Sequence, residues 1–170
     1  MIITGDDFTG IRSLQHFLSQ HFEMKDLGTL SYFLELEVTS SSDEYYLSQA
    51  KYASDLLSKA GITNNKTSST PLEYNAKLTP LDGEPISDAT RYRQLVGSLI
   101  YFTVTRLDIS HVVGMVSKFM DAPRSVHHDD VLRILQYVED TLYHGSHYSS
   151  RSSLKLHAYS NADWAGDSTD

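Results

Sequence analysis

Acidic residues gather near the end of the sequence, in the stretch LHAYSNADWAGDSTD. Alternating apolar residues predict a β-strand over 154–160, and Asp163 and Asp167 follow it. A magnesium-dependent nuclease needs several converging carboxylates, because this hard cation prefers charged oxygen ligands. The position best placed for such a ligand, Asn161, carries a neutral amide. The residues therefore predict no working metal site here.

A second group of residues recurs every four positions in a predicted helix over 88–105. Arg93, Gly97 and Tyr101 lie on one face, and the other face is apolar. A glycine costs up to about 1 kcal/mol relative to alanine inside a helix, so Gly97 indicates a close approach by another helix or by a ligand. An arginine and a tyrosine beside it would suit a phosphate and a sugar or base. Tight helix packing with a surface arginine explains the pattern equally well.

Two other polar clusters have simpler explanations than catalysis. Asp6 and Asp7 precede a helical repeat over 8–22 and fit a helix cap. The run of His127 to Asp130 cannot bind one ion, because adjacent helical residues point about 100° apart. We expect this run to form a solvated first turn.

Composition limits the possible functions. The chain has 170 residues, 40% of them hydrophobic, no cysteine and a net charge of −8. It can bury a core, and it cannot use disulfides or thiolate zinc sites. The acidic balance argues against a general phosphate-binding surface, although residues 51–126 are mildly basic. With no membrane span or signal peptide apparent, we expect an intracellular protein, cytoplasmic or nuclear.

Periodicity predicts an α+β order of elements. After the first helix, LSYFLELEV and EYYLSQ flank a polar turn and predict a β-hairpin. A helix over 49–60, capped by Ser48 and ended by Gly61, comes next. A proline-containing connection over 62–87 separates it from helices near 88–105, 108–120 and 125–142.

Several of these stretches, in order, resemble the copia-type retrotransposon polyprotein. They are MKDLGTLSYFLELEV, YLSQAKYASDLL, STPL, YRQLVGSLIYFTVTR, DISH and AYSNADWAGD. The resemblance covers nearly the whole chain. It implies the end of a reverse transcriptase palm, then the thumb and connection, then the first strand of RNase H.

The resemblance also assigns roles to single residues. It implies that the metal-binding aspartates of the polymerase lie just before Met1, and that Arg93, Gly97 and Tyr101 face the template–primer duplex. Glu35 stands where the primer grip of the family usually has glycine, and its carboxylate would repel a phosphate. Asn161 replaces the leading RNase H aspartate. The family usually reads TRPDI where this chain has TRLDI, so the proline at residue 107 is lost.

These inferences together predict the domain organisation. We expect a small antiparallel hairpin with flanking helices over 1–61, a linker over 62–87, a helical thumb-like region over 88–148, and a truncated RNase H start over 149–170. Because both catalytic centres are missing or altered, we expect a chain that is not an enzyme and that uses no cofactor or metal.

Three hypotheses about function follow from this reading. The first is a truncated, catalytically incompetent retroelement protein that binds a protein partner, with homodimers as one form of association. The second is weak, salt-sensitive binding of an RNA–DNA or RNA duplex through the Arg93 face. The third is that the chain is an inactive piece of a functional polymerase polyprotein. None of the three involves a membrane.

Overall fold

Helices and one antiparallel sheet make up the fold, which confirms the predicted α+β class. The computed structural model describes residues 2–62, 67–73, 78–153, 155 and 158. In this part of the chain the helices are α1 (Phe8–His21), α2 (Ala50–Ala60), α3 (Ala89–Phe102), α4 (Ser110–Ser117) and α5 (Ser125–Asp140). The strands are β1 (Tyr32–Phe33), β2 (Leu36–Ser40), β3 (Glu44–Ser48) and β4 (Ser146–Ser149).

The sheet has the order β1-β2-β3-β4, with every neighbouring pair antiparallel. The predicted hairpin is confirmed, because Ser40 pairs with Tyr45 across the polar turn. Strand β4 was not predicted, since its sequence SHYS lacks the apolar alternation that marks a strand. A Cβ on Gly145 would lie 2.2 Å from the Leu47 carbonyl oxygen, so only glycine allows the chain to enter β4 this close to β3.

Helix α1 begins as predicted. The side chain of Asp7 accepts a hydrogen bond from the Gly10 amide at 2.9 Å, which confirms the cap. The helix buries none of its residues, although its apolar side chains recur at helical spacing. Its apolar face therefore lies open along the described chain.

The core lies between α2, α3, α4 and α5. Its buried side chains include Leu56 and Ala53 of α2, Leu99 of α3, Val113 of α4 and Ile134 of α5. The hydroxyl of Tyr92 donates to the Val116 carbonyl at 2.6 Å, and burial raises the pKa of Tyr92. The residues predicted to form the apolar side of the third helix are thus confirmed as core.

The ends of α2 confirm one prediction and correct another. Gly61 ends the helix in the left-handed conformation, with φ of 73°, as predicted. Ser48 is not the cap, because it is the last residue of β3 and its hydroxyl bonds the carboxylate of Glu37. Gln49 takes the cap position, without a capping bond from its side chain.

The solvated first turn predicted for α5 is wrong at His127. This side chain is completely buried and stacks on Phe119 with the ring centroids 3.8 Å apart. Its Nδ1 accepts from the Arg124 amide, so its Nε2 carries the proton and donates to the Thr79 carbonyl. Both ring nitrogens of His127 therefore have hydrogen-bond partners in the core.

A buried arginine holds the connection between α3 and α4. Arg106 is 1% exposed, and its guanidinium donates two hydrogen bonds to Asp108, at 2.9 and 2.8 Å. It also donates to the carbonyl and hydroxyl oxygens of Thr141 after α5, at 3.0 and 2.7 Å. The rings of Phe102 and Tyr137 each lie 5.6 Å from its central carbon.

This network explains why the loss of proline at residue 107 does not fuse two helices. Helix α3 ends at Phe102, and a 3₁₀ turn over Leu107–Ile109 precedes α4. Burial raises the pKa of Asp108, but the hydrogen bonds and charge of Arg106 outweigh burial and hold this pKa below its ordinary value. Asp108 therefore remains ionised and fixes the turn.

We predict that Arg106→Lys lowers the free energy of unfolding by about 3 kcal/mol, because a buried ammonium cannot bond Asp108 and Thr141 together as the planar guanidinium does. Urea unfolding followed by circular dichroism measures this loss. The matched control is Arg133→Lys, whose partner Glu73 is exposed, and we expect it to cost less than about 1 kcal/mol. Equal losses in both variants would contradict the role given to Arg106.

Candidate nucleic-acid interface

The three residues predicted to contact a duplex lie together on the exposed side of α3. Arg93, Gly97 and Tyr101 are all exposed, and the opposite side of the helix packs into the core. Arg93 and Tyr101 are eight residues apart, about 12 Å along the helix axis. The structure thus brings the predicted side chains onto one face, which we call the α3 face (Arg93, Gly97, Ile100, Tyr101).

Gly97 lies at the centre of the α3 face, and its surroundings are open. A Cβ added to Gly97 would meet no atom within 4 Å in the described part of the chain. The alternative of tight packing against another helix of the chain therefore finds no support among these residues. The face is instead a shallow surface where an outside molecule can approach the helix backbone.

Arg93 is exposed, and its guanidinium also hydrogen-bonds backbone carbonyls of the chain. Its Nε donates to the Met120 carbonyl at 2.7 Å, and its Nη2 donates to the Asp121 carbonyl at 3.2 Å. Both acceptors are neutral, so these bonds do not neutralise the guanidinium. Arg93 secures the segment after α4 and leaves a positive charge at one end of the α3 face.

Tyr101 connects the α3 face to the sheet. Its hydroxyl donates a hydrogen bond to the Leu34 carbonyl, between β1 and β2. Its ring meets Tyr52 edge-on, with centroids 5.3 Å apart and planes at 76°. The Tyr52 hydroxyl donates to the Ser98 carbonyl of α3 at 3.1 Å. From the sequence we predicted that Tyr101 contacts a ligand. In the structure its hydroxyl hydrogen-bonds a carbonyl of the same chain.

Glu35 lies in the two-residue turn between β1 and β2. Leu34 and Glu35 both have positive φ, 49° and 62°, the backbone of a type I′ turn. This conformation costs roughly 1–2 kcal/mol for a side chain other than glycine or asparagine, which explains the preference for glycine that the family resemblance implied. The turn Leu34–Glu35 is therefore strained.

The carboxylate of Glu35 has a partner of its own. It accepts a hydrogen bond from the Tyr32 hydroxyl at 2.5 Å. This bond is the largest of several effects that raise the pKa of Tyr32 to about 12, because deprotonation would place two negative charges together. The Glu35 side chain therefore lies bonded to Tyr32 beside the Tyr101 end of the α3 face.

Sequence reasoning missed a cleft of about 450 Å³ beside the Arg106 network. It is lined by the 3₁₀ turn, α5 and the approach to β4, with Asp108, Tyr137 and His144 among its residues. These segments are far apart in the sequence, and their spacing gives no signal for the cleft. The Tyr137 hydroxyl donates to Asp108 at 3.0 Å across it.

Metal sites and membrane-spanning helices can be assessed in the part of the chain that the structure describes. Within residues 2–62, 67–73 and 78–153, no three His, Asp or Glu side chains converge as a metal site would require. No helix in this part is long and apolar enough to cross a bilayer. Asn161, Asp163 and Asp167 fall outside the described residues, as does the strand predicted over 154–160 apart from residues 155 and 158.

Comparison with known proteins finds a family match and several similar polyproteins. Residues 1–74 match the family described as reverse transcriptase (RNA-dependent DNA polymerase). The chain is 41% and 38% identical, over its full length, to the Pol polyproteins of transposons RE1 and RE2 of Arabidopsis thaliana. It spans 12% of the length of each.

A shorter relative is an uncharacterized mitochondrial protein of Arabidopsis thaliana. It is 36% identical over 98% of this chain, which covers 69% of that relative. No solved structure matches the chain.

The expectation that the chain is not an enzyme is wrong as a statement about its family. It rested on polymerase carboxylates expected before Met1 and on Asn161, whereas the family match and the identity to Pol polyproteins over the whole of this chain point to an enzyme family. The order of motifs, the α+β fold and these relatives agree. The chain belongs to the copia-type retrotransposon Pol polyproteins, and its first 74 residues match their reverse transcriptase.

Proposed function

We propose that this chain supplies part of the surface with which a copia-type reverse transcriptase holds its template–primer duplex. The observation that carries the proposal is the open helix surface at Gly97. The ligand that we propose is an RNA–DNA hybrid or an RNA duplex. We assign the polymerase chemistry to the longer polyprotein.

The shape of the α3 face fits the minor groove of such a duplex. A-form helices present a wide, shallow minor groove that displays sugar hydroxyls, and proteins read it mainly by shape. Gly97 lets the helix backbone come close to the sugars, and the side chain of Ile100, 44% exposed, offers apolar contact. Arg93 provides a positive charge at one end for a phosphate.

Electrostatics limit how strongly the face binds. The chain has a net charge of −8, and the Glu35 carboxylate lies near one end of the α3 face. Few counterions are displaced when few basic groups meet phosphates, so the affinity is low. We therefore propose binding that is measurable at low ionic strength and lost near physiological salt, where screening limits charge attraction to about 8 Å.

We predict that Gly97→Leu weakens binding of an RNA–DNA hybrid at low salt by about tenfold, equivalent to about 1.4 kcal/mol. The leucine side chain occupies the open surface and keeps the helix away from the groove. Fluorescence anisotropy with a labelled hybrid measures the change. Because the added side chain points into open space and leucine favours a helix, we expect the variant to fold at least as stably as the parent.

Gly114→Leu is the matched control. Gly114 is also an exposed helical glycine with no atom within 4 Å of its Cβ position, but it belongs to α4. We expect it to leave the affinity within about twofold, a free energy change of less than about 0.5 kcal/mol. Equal affinities for the parent and Gly97→Leu would contradict the proposal.

The open apolar face of α1 supports a second candidate function, which is association between protein chains. Its most exposed large side chains are Phe8 at 75% and Phe17 at 55%, and Leu14 is 45% exposed. An isolated helix of 14 residues is marginal in water, and burial of such a face is what usually stabilises it. We propose that a second copy of this chain covers this face.

Charge complementarity favours an antiparallel pair of α1 helices. Asp6 and Asp7 precede the positive end of the helix dipole, and His21 and Lys25 lie at or beyond its negative end. A two-fold axis across the helix would place the acids of one copy beside the basic groups of the other. The helix dipoles would then also oppose each other favourably.

We predict that Leu14→Glu weakens this dimer by at least about tenfold, since a buried unpaired carboxylate is costly. Sedimentation velocity across a concentration series measures the shift toward monomer. Thr9→Glu adds the same charge on the side of α1 that faces away from Leu14, since five helical residues turn the side chain by about 140°, and it should leave the dimer intact. A parent chain that stays monomeric at high micromolar concentration would refute this candidate.

A further inference from the structure

We infer that Tyr101 is a positioning residue, which fastens the Leu34–Glu35 turn to α3 so that turn and helix meet a duplex as one surface. This inference rests on the proposed function, and it goes beyond it by assigning to Tyr101 the role of holding the turn against α3. The carrying contact is the hydrogen bond from the Tyr101 hydroxyl to the Leu34 carbonyl.

The turn has few other contacts that fix its place. Strand β1 comprises only Tyr32 and Phe33, and its pairing with β2 involves two residue pairs. The side chains of Leu34 and Glu35 are mostly solvent-exposed or bonded within the turn itself. A two-residue strand contributes few ladder bonds, so the bond from α3 is the contact that sets the direction of the turn.

Tyr101 is itself held on two sides. Its ring packs edge-on against Tyr52 of α2, and the Tyr52 hydroxyl bonds the Ser98 carbonyl of α3. The tyrosine pair therefore joins α2 and α3 rigidly. A hydroxyl placed by two helices can select one position for a strained turn that would otherwise move.

The position of the turn determines which end of a bound duplex it faces. The turn lies beside the Tyr101 end of the α3 face, opposite to the Arg93 end. A duplex seated over Gly97 with a phosphate at Arg93 would extend toward Leu34 and Glu35. The Glu35 carboxylate, which is bonded to Tyr32, then lies where a phosphate at this end would approach, and it would repel that phosphate.

Site-specific trapping tests the inference in the intact chain. The protein has no cysteine, so Glu35→Cys introduces a single thiol at the turn. A hybrid duplex that carries a disulfide-activated tether on its backbone reports whether the turn lies next to bound duplex. The measurement compares Glu35→Cys alone with Glu35→Cys combined with Tyr101→Phe, at low salt and equal occupancy.

We expect Tyr101→Phe to reduce the trapping yield about fivefold, since it removes one hydrogen bond of ordinary strength. Duplex affinity from anisotropy should fall by a smaller factor than the trapping yield, because the ring of Tyr101 and the other residues of the α3 face remain. Hydrogen exchange at the Val38 amide, which bonds the Ser31 carbonyl beside the turn, should accelerate in the free chain. Tyr45→Phe, on an exposed tyrosine of β3, is the control and should change none of these quantities.

The outcomes separate this inference from the proposed function. Equal trapping with and without the Tyr101 hydroxyl, or no trapping by a chain that binds duplex, overturns the positioning role and leaves duplex binding standing. A chain that binds no duplex at low salt overturns both. A loss of trapping that is matched by an equal loss of affinity would make Tyr101 a direct contact, which also contradicts the inference.

Discussion

The ion pair between the buried Arg106 and the exposed Asp108 is the interaction on which the helical part of the structure depends. It lies where α3 has ended and α4 has not begun, and it reaches the end of α5 through Thr141. A guanidinium can make these bonds at once because its donors lie in one rigid plane. Through these bonds the junction holds the segment after α3 against the end of α5.

The two sides of α3 differ in packing as well as in polarity. Inward side chains such as Tyr92 and Leu99 are fully buried, whereas Gly97 leaves a bare helix surface. Stability alone would favour alanine or leucine at an exposed helical position. A position that gives up helix stability and gains no packing within the described chain is the kind of feature expected of a binding surface.

Sequence reasoning predicted the parts of the fold that rest on local chemistry. The α1 cap at Asp7, the hairpin turn and the Gly61 stop are confirmed, because each depends on residues within a few positions of one another. It could not predict β4, whose four residues are a strand only because β3 offers a partner. It also misjudged His127, since the stacking Phe119 lies in the segment after α4 and the carbonyl of Thr79 lies 48 residues away.

The candidate site was predictable to a similar extent. Spacing of four placed Arg93, Gly97 and Tyr101 on one face, and the structure agrees. Spacing could not show that Tyr101 bonds Leu34, 67 residues away. Nor could it show that Arg93 bonds backbone carbonyls after α4. These contacts depend on how the sheet and helices pack together, which no local pattern encodes.

Amide chemical-shift mapping tests most directly whether the α3 face and the Leu34–Glu35 turn form a duplex-binding surface. The ¹⁵N-labelled chain would be titrated with a short RNA–DNA hybrid at low salt. If the α3 face and the turn bind the hybrid, we expect the largest shift changes at Gly97, Ile100 and residues 34–35, with α5 unaffected. Largest changes on α5 or α1, or no changes at saturating hybrid, would contradict it.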